Sequence, residues 1–157
     1  MKISNILCPI DFSTHNQEAN EYASVLASST GAKIIYLHIT TPEAPYGDFG
    51  NVDPSEMMAK DLKSLKSYRP TVAGVKASWE VDFGPTAPRI VEFANDRSVS
   101  LIVIGTHGRT GLRRVLMGSV AESVIRQAKC PVLAIKSPMP EKETACANAK
   151  FVDDVRG

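Results

Sequence analysis

Apolar residues fall into two rhythms along this chain. Short stretches are nearly continuous in apolar residues or alternate strictly. Longer stretches between them carry an apolar residue every three or four positions. The first rhythm belongs to strands and the second to helices. Ile3 to Ile10 is mostly apolar and predicts a strand buried on both faces. Lys33 to Ile39 (KIIYLHI) predicts a second of that kind, and the wholly apolar Leu101 to Ile104 a fourth. The third, Val75 to Phe83, is different. Val75, Ala77, Trp79, Val81 and Phe83 alternate with the polar Lys76, Ser78, Glu80 and Asp82. One wet face places this strand at a sheet edge. Pro131 to Lys136 (PVLAIK) predicts a fifth, and its leading proline also suits an edge.

Helices fill the gaps. Ala19, Tyr22, Ala23 and Leu26 share one face, with a capping-box spacing at Thr14 and Gln17 and a stop at Gly31. Asp53-Pro54-Ser55-Glu56 reads as N-cap, first-turn proline and capping-box glutamate. It opens a helix marked by Met58, Leu62 and Leu65, which Pro70 must end. Gly84-Pro85 breaks the third strand, and Ile90, Val91 and Ala94 mark a third helix. Val120, Ala121, Val124, Ile125 and Ala128 mark a fourth, with Ser119 and Glu122 spaced as another capping box.

Five strands alternating with four helices predict the α/β class, with one parallel sheet covered on both faces in a Rossmann-like three-layer sandwich. Crossovers are right-handed. With strands one and four central and three and five at the edges, the order is 3-2-1-4-5. That order reverses between strands one and four, where open parallel sheets bind ligands beyond the strands' carboxyl ends. Asp11 and Gly105 stand at those two ends.

Composition narrows the field. The 157 residues suit one domain, 43% hydrophobic and 22% charged, which is neither disordered nor membrane-spanning. We expect the domain over residues 1–136 and a polar, flexible tail over 137–157. With 18 basic and 17 acidic residues the net charge is +1, so nucleic acid is not the expected partner. No signal peptide or membrane-length apolar run is visible, and a reducing cytoplasm is the expected compartment. Cys8, Cys130 and Cys146 lack metal-like spacing and read as inert thiols.

The chemistry concentrates in LIVIGTHGRTGLRRVLMGS, residues 101–119. A strand stops at Gly105, a glycine-rich basic loop follows, and Gly118-Ser119 opens a helix. Unpaired N–H groups at a helix N-terminus attract anions, and glycines let a phosphate approach the backbone. A tight packing turn is the competing reading. The stretch is neither a Walker A loop nor the dinucleotide fingerprint GxGxxG. Asp11 is either a turn or cap residue, or a ligand to a ribose hydroxyl or to a divalent metal. His38, in an apolar strand, reads as a satisfied core residue, and His107 as a solvated loop residue. Arg109, Arg113 and Arg114 are a solvated face or phosphate contacts. No GxSxG, HExxH or cysteine–histidine constellation appears.

Gly105-xx-Gly108, nine further residues and then Gly118-Ser119 resembles the signature of the universal stress protein family. Pro9-Ile10-Asp11-Phe12-Ser13, Leu37-His38-Ile39 and Cys130 to Lys136 resemble its first, second and last strand endings. The resemblance covers residues 1–136. It implies the five-stranded sheet above, in the adenine nucleotide alpha hydrolase-like arrangement, and membership of the ATP-binding branch. Asp11 would contact the nucleoside and the backbone of Ile39 the adenine. Gly105, Gly108, Gly118 and Ser119 would cradle phosphates and ribose, lined by Pro9, Ile104, Arg109 and Val120. The implied ligand is ATP, or ADP or AMP, with Mg²⁺ or Mn²⁺ held by the phosphates and Asp11. The implied assembly is a homodimer; the apolar edge of the last strand, Val132, Leu133, Ala134 and Ile135, is where we expect the pairing, with the tail covering that edge as the alternative. The expected function is an ATP-binding regulatory module of the stress response that acts on a protein partner of unspecified kind. The alternatives are a slow adenine-nucleotide phosphohydrolase or phosphotransferase, and an interaction module with a vestigial cleft.

Overall fold

A computed structural model describes residues 2–14, 16–41, 53–106 and 117–136. The elements run β1 (Asn5–Pro9), α1 (Asn16–Thr30), β2 (Lys33–Thr40), α2 (Pro54–Leu65), β3 (Ala77–Phe83), α3 (Thr86–Asp96), β4 (Leu101–Gly105), α4 (Ser119–Gln127) and β5 (Val132–Ile135). All five strands lie in one parallel sheet of order β3-β2-β1-β4-β5. The strands that read as doubly buried are the inner ones. β3, with its alternating pattern, is an edge and half-buried along its length.

Alternation divides the core between the two faces. Ile6 and Cys8 of β1, Ile34 and Tyr36 of β2 and Val103 of β4 pack with Ala19, Ala23 and Ala27 of α1 and Leu65 of α2. The alanine stripe lets α1 lie close on the sheet. Leu7, Ile35, Leu37, Ile39, Ile102 and Ile104 face the other way, onto Ile90 of α3 and Val124 of α4. Each large apolar side chain so buried contributes about 1.5–3 kcal/mol.

Buried polar groups tie the segment after α2 to α1. Tyr36 Oη donates to Asn20 Oδ1 at 2.6 Å, and Asn20 Nδ2 donates to the Arg69 carbonyl at 2.9 Å. Trp79 Nε1 donates to the Tyr68 carbonyl, and the Arg69 guanidinium lies over the Trp79 ring.

Boundaries depart from the sequence pattern at several ends. β1 starts at Asn5, later than Ile3. α1 is described from Asn16, and the expected cap at Thr14 adjoins residue 15, which lies outside the described residues. Gly31, with φ +72°, ends α1 as expected. Asp53 caps α2 by accepting the Ser55 N–H at 2.9 Å. The expected flexible tail 137–157 and most of the loop after Thr40 lie outside the described residues.

Candidate functional site

β1 and β4 pair from Ile6–Leu101 to Leu7–Ile102, and the chain then leaves them toward opposite faces. A cleft of about 240 Å³ opens at that divergence, beyond the carboxyl ends of the strands. This is the switch point that the strand order predicted.

The β1 side is built around a turn. Asp11 Oδ1 accepts the Ser13 N–H at 2.9 Å and the Asn16 Nδ2 amide at 2.5 Å. Asp11 thus ties the exit of β1 to the first turn of α1. Between them Phe12 adopts φ +64°, a left-handed conformation that costs a bulky residue roughly 1–2 kcal/mol. Contacts of its ring offset that cost: the His38 ring is 4.2 Å away and the Tyr68 ring 6.3 Å.

The β4 side is built around a return. Thr106 N–H donates to the Ile135 carbonyl at 2.8 Å, which holds the β4 exit to β5. Gly118 N–H comes back to the Thr106 carbonyl at 2.6 Å. That bond sets the start of α4. Gly118 is the N-cap, with φ −70° and ψ 152°, and as a glycine it supplies no side-chain cap of its own. The capping box expected from Ser119 and Glu122 is therefore not formed. Ser119 is the first helical residue, and Glu122 pairs with Arg126 at 2.9 Å. The first-turn N–H groups of α4 open on the cleft with the helix's positive dipole end behind them.

The β2 side contributes backbone. Lys33 N–H donates to Ser4 and Leu37 accepts from Ile10, so residues 33, 35, 37 and 39 turn their amide groups toward β1. Ile39 lies past the end of β1, so its N–H and C=O face the cleft. Its side chain packs on the α3–α4 side.

Eight expected residues line this cleft: Pro9, Asp11, Ile39, Ile104, Gly105, Gly118, Ser119 and Val120. Gly108, Arg109, His107, Arg113 and Arg114 lie outside the described residues. The cleft also takes in Asn16, His38, Thr41, Thr86, Ile90 and Thr106, which the sequence did not assign to it. Thr41 and Thr106 directly follow β2 and β4, so the strand-exit rule extended to those ends finds them. Thr86 and Ile90 arrive through the packing of α3, which has no sequence signature.

Among the described residues, no three His, Cys, Asp or Glu side chains come together as a metal site. No helix there is long and apolar enough to cross a membrane. Below the cleft, burial pushes the Cys8 thiol up to about 12, consistent with the inert thiol expected there.

A model described as the universal stress protein family matches residues 2–136. Universal stress protein MJ0531 of Methanocaldococcus jannaschii is 36% identical over 143 residues, covering 87% of this chain and 84% of its own. The solved structure of protein MJ0577, from the same organism, has TM-score 0.78 at 26% identity over 89% of this chain and 100% of its own. A universal stress protein of Archaeoglobus fulgidus, solved in complex with dAMP, shares the fold with TM-score 0.56 at 22% identity, covering 87% of this chain and 100% of its own.

Proposed function

The chain belongs to the universal stress protein family, and on that premise we propose that its cleft binds ATP and that nucleotide occupancy, together with dimerisation, tunes its binding to a protein partner in the cytoplasm. One observation carries the reading. The N-terminus of α4, whose cap residue Gly118 has no side chain, and the outward backbone edge of Ile39 open on the same cleft, with Asp11 beside them. The three features suit the three parts of a nucleotide. The Ile39 N–H and C=O offer a donor and an acceptor to a base edge. The Asp11 carboxylate suits a ribose hydroxyl. The N–H groups of Ser119 and Val120 suit phosphate, with no side chain at Gly105 or Gly118 to block its approach. Gly108 and Arg109 join the phosphate contacts on the strength of the family pattern.

A volume of about 240 Å³ accommodates base and sugar, with the phosphates running out over α4. Mg²⁺ or Mn²⁺ would be held mainly by those phosphates, because Asp11 is the single cleft-lining carboxylate among the described residues. The cleft is thereby suited to holding a nucleotide more than to processing it. Calorimetry with ATP and Mg²⁺ tests the proposal. Saturable binding is expected, weaker in Gly118→Ala and in Asp11→Ala. No saturable adenine-nucleotide binding by the purified protein would overturn it.

A further inference from the structure

Ile10 stands one step and Ile39 two steps beyond Pro9–Leu37, the last pair of the β1–β2 ladder. In a parallel ladder, a residue donates to the one before its partner and accepts from the one after it. Leu37, the partner of Pro9, accepts the Ile10 N–H at 2.8 Å. The next bond in the series would run from Ile39 N–H to the Ile10 carbonyl. It is not formed, and the ladder stops at Pro9–Leu37. The Ile10 carbonyl is taken instead by His38 Nδ1, 2.7 Å away. A carbonyl can only accept, so Nδ1 carries the proton.

We infer that His38, by occupying the Ile10 carbonyl, keeps the β1–β2 ladder from closing and leaves the Ile39 N–H facing the cleft as a donor to the nucleotide base. This rests on the nucleotide reading above and adds to it the residue that makes base recognition possible. His38 is a positioning residue. Its ring is clamped on two sides. Phe12 lies against one face at 4.2 Å, and Nε2 is 3.5 Å from Asp61 Oδ2 on α2. The Thr40 hydroxyl donates to that same carboxylate oxygen at 2.6 Å and fixes it in place. The imidazole is 8% exposed, so it has little room to swing off the carbonyl.

The consequence is a stated base preference. A donor and an acceptor on one peptide edge match the N1 acceptor and amino donor of adenine. Hypoxanthine presents the reverse pattern, an N1–H donor and an O6 acceptor. If the His38 proton is removed, the buried Ile10 carbonyl loses its partner, and the nearest donor in ladder register is the Ile39 N–H. That closure would withdraw the donor from the base.

Two measurements on the full chain test this. The first is amide hydrogen exchange by NMR without ligand. Ile39 should exchange as an unpaired amide in the wild type, and about tenfold or more slowly in His38→Leu. His38→Asn places a side-chain N–H where Nδ1 stands and should keep the fast rate. The second is calorimetry with ATP, with inosine triphosphate and with inorganic triphosphate. The wild type should prefer ATP over inosine triphosphate by about tenfold or more. The ratio should fall toward one in His38→Leu and recover in His38→Asn, while inorganic triphosphate binds all three alike. An Ile39 amide already protected in the ligand-free wild type overturns the inference, whether or not His38→Leu folds. So does an unchanged ATP preference in His38→Leu. Absence of ATP binding in the wild type would instead defeat the nucleotide reading and leave the exchange result standing.

Discussion

Asp11 accepts two hydrogen bonds through one oxygen, from the Ser13 amide and from Asn16, which is buried at 4% exposure. Asp11→Ala would leave both donors without this acceptor, a loss of about 1–3 kcal/mol. The urea midpoint should fall with the slope unchanged. Asn16→Ala should lower stability similarly but weaken ATP binding less, since it keeps the carboxylate offered to ribose. The sequence left Asp11 open between turn residue and ligand, and the structure gives it the turn role without removing it from the cleft. His38 read as a satisfied core residue, and it is satisfied. Its acceptor, Ile10, is remote in sequence, so no local pattern could reveal what the bond prevents. Cys8 carries a prediction of its own. Burial raises its thiol from the ordinary 9.0 to about 12. Between those values the unfolded chain loses this proton and the folded chain keeps it. The contribution to stability is therefore full below about pH 9 and falls toward pH 12, by up to ~1.4 kcal/mol per pH unit. Urea titrations at about pH 8 and about pH 10.5 should show the wild type losing about 2 kcal/mol more than Cys8→Ala across that interval.

Helix starts show where an element's edge is legible. At α2, Asp53-Pro54 marks the N-cap correctly, and Asp53→Ala should cost about 1 kcal/mol by thermal melting. At α4 the same kind of signal misleads by one residue. Ser119 and Glu122 have capping-box spacing, but the Gly118 N–H is drawn to the Thr106 carbonyl, and that long-range bond makes Gly118 the cap. A four-residue pattern carries no information about a bond to the end of another strand. The outcome matters for function, because a glycine cap makes no claim of its own on the first-turn N–H groups and leaves them for an anion. Gly118→Asp separates the two roles. The backbone at φ −70° accepts any residue, and an aspartate cap should stabilise α4 by about 0.5–1 kcal/mol. Its negative charge stands where phosphate would bind. We expect a higher melting temperature together with weaker ATP binding by calorimetry. Improved stability with undiminished binding would count against a phosphate position at this helix start.

Across the molecule, the sheet order was legible because burial differs between strands. β1, β2 and β4 are mostly apolar without alternation and belong inside, whereas the alternation of β3 requires an edge. The geometry between elements was not legible, because it depends on how α3 packs and on where each chain exit turns. The two edges differ, and that difference argues for assembly. β3 carries charge near its end, where Asp82 pairs with Arg89 at 2.6 Å. β5, Val132 to Ile135, carries no charge, and Val132, Leu133 and Ala134 are half-buried. α1 and α4 both pack against β5, and they hold the large exposed apolar side chains Tyr22, Val25 and Ile125. An apolar edge strand that no described strand covers, on a sheet whose helices expose apolar side chains, is a feature that proteins pair or cover. A second copy pairing antiparallel across a two-fold axis satisfies, on both chains at once, the outer ladder groups that no described strand pairs. Light scattering at micromolar concentration should therefore report a dimer. Ala134→Lys adds a charge to the edge and removes no large core side chain, so it should give a monomer with an unchanged circular dichroism spectrum. A monomeric wild type would contradict pairing through β5. A dimeric, folded Ala134→Lys would move the interface elsewhere on the surface.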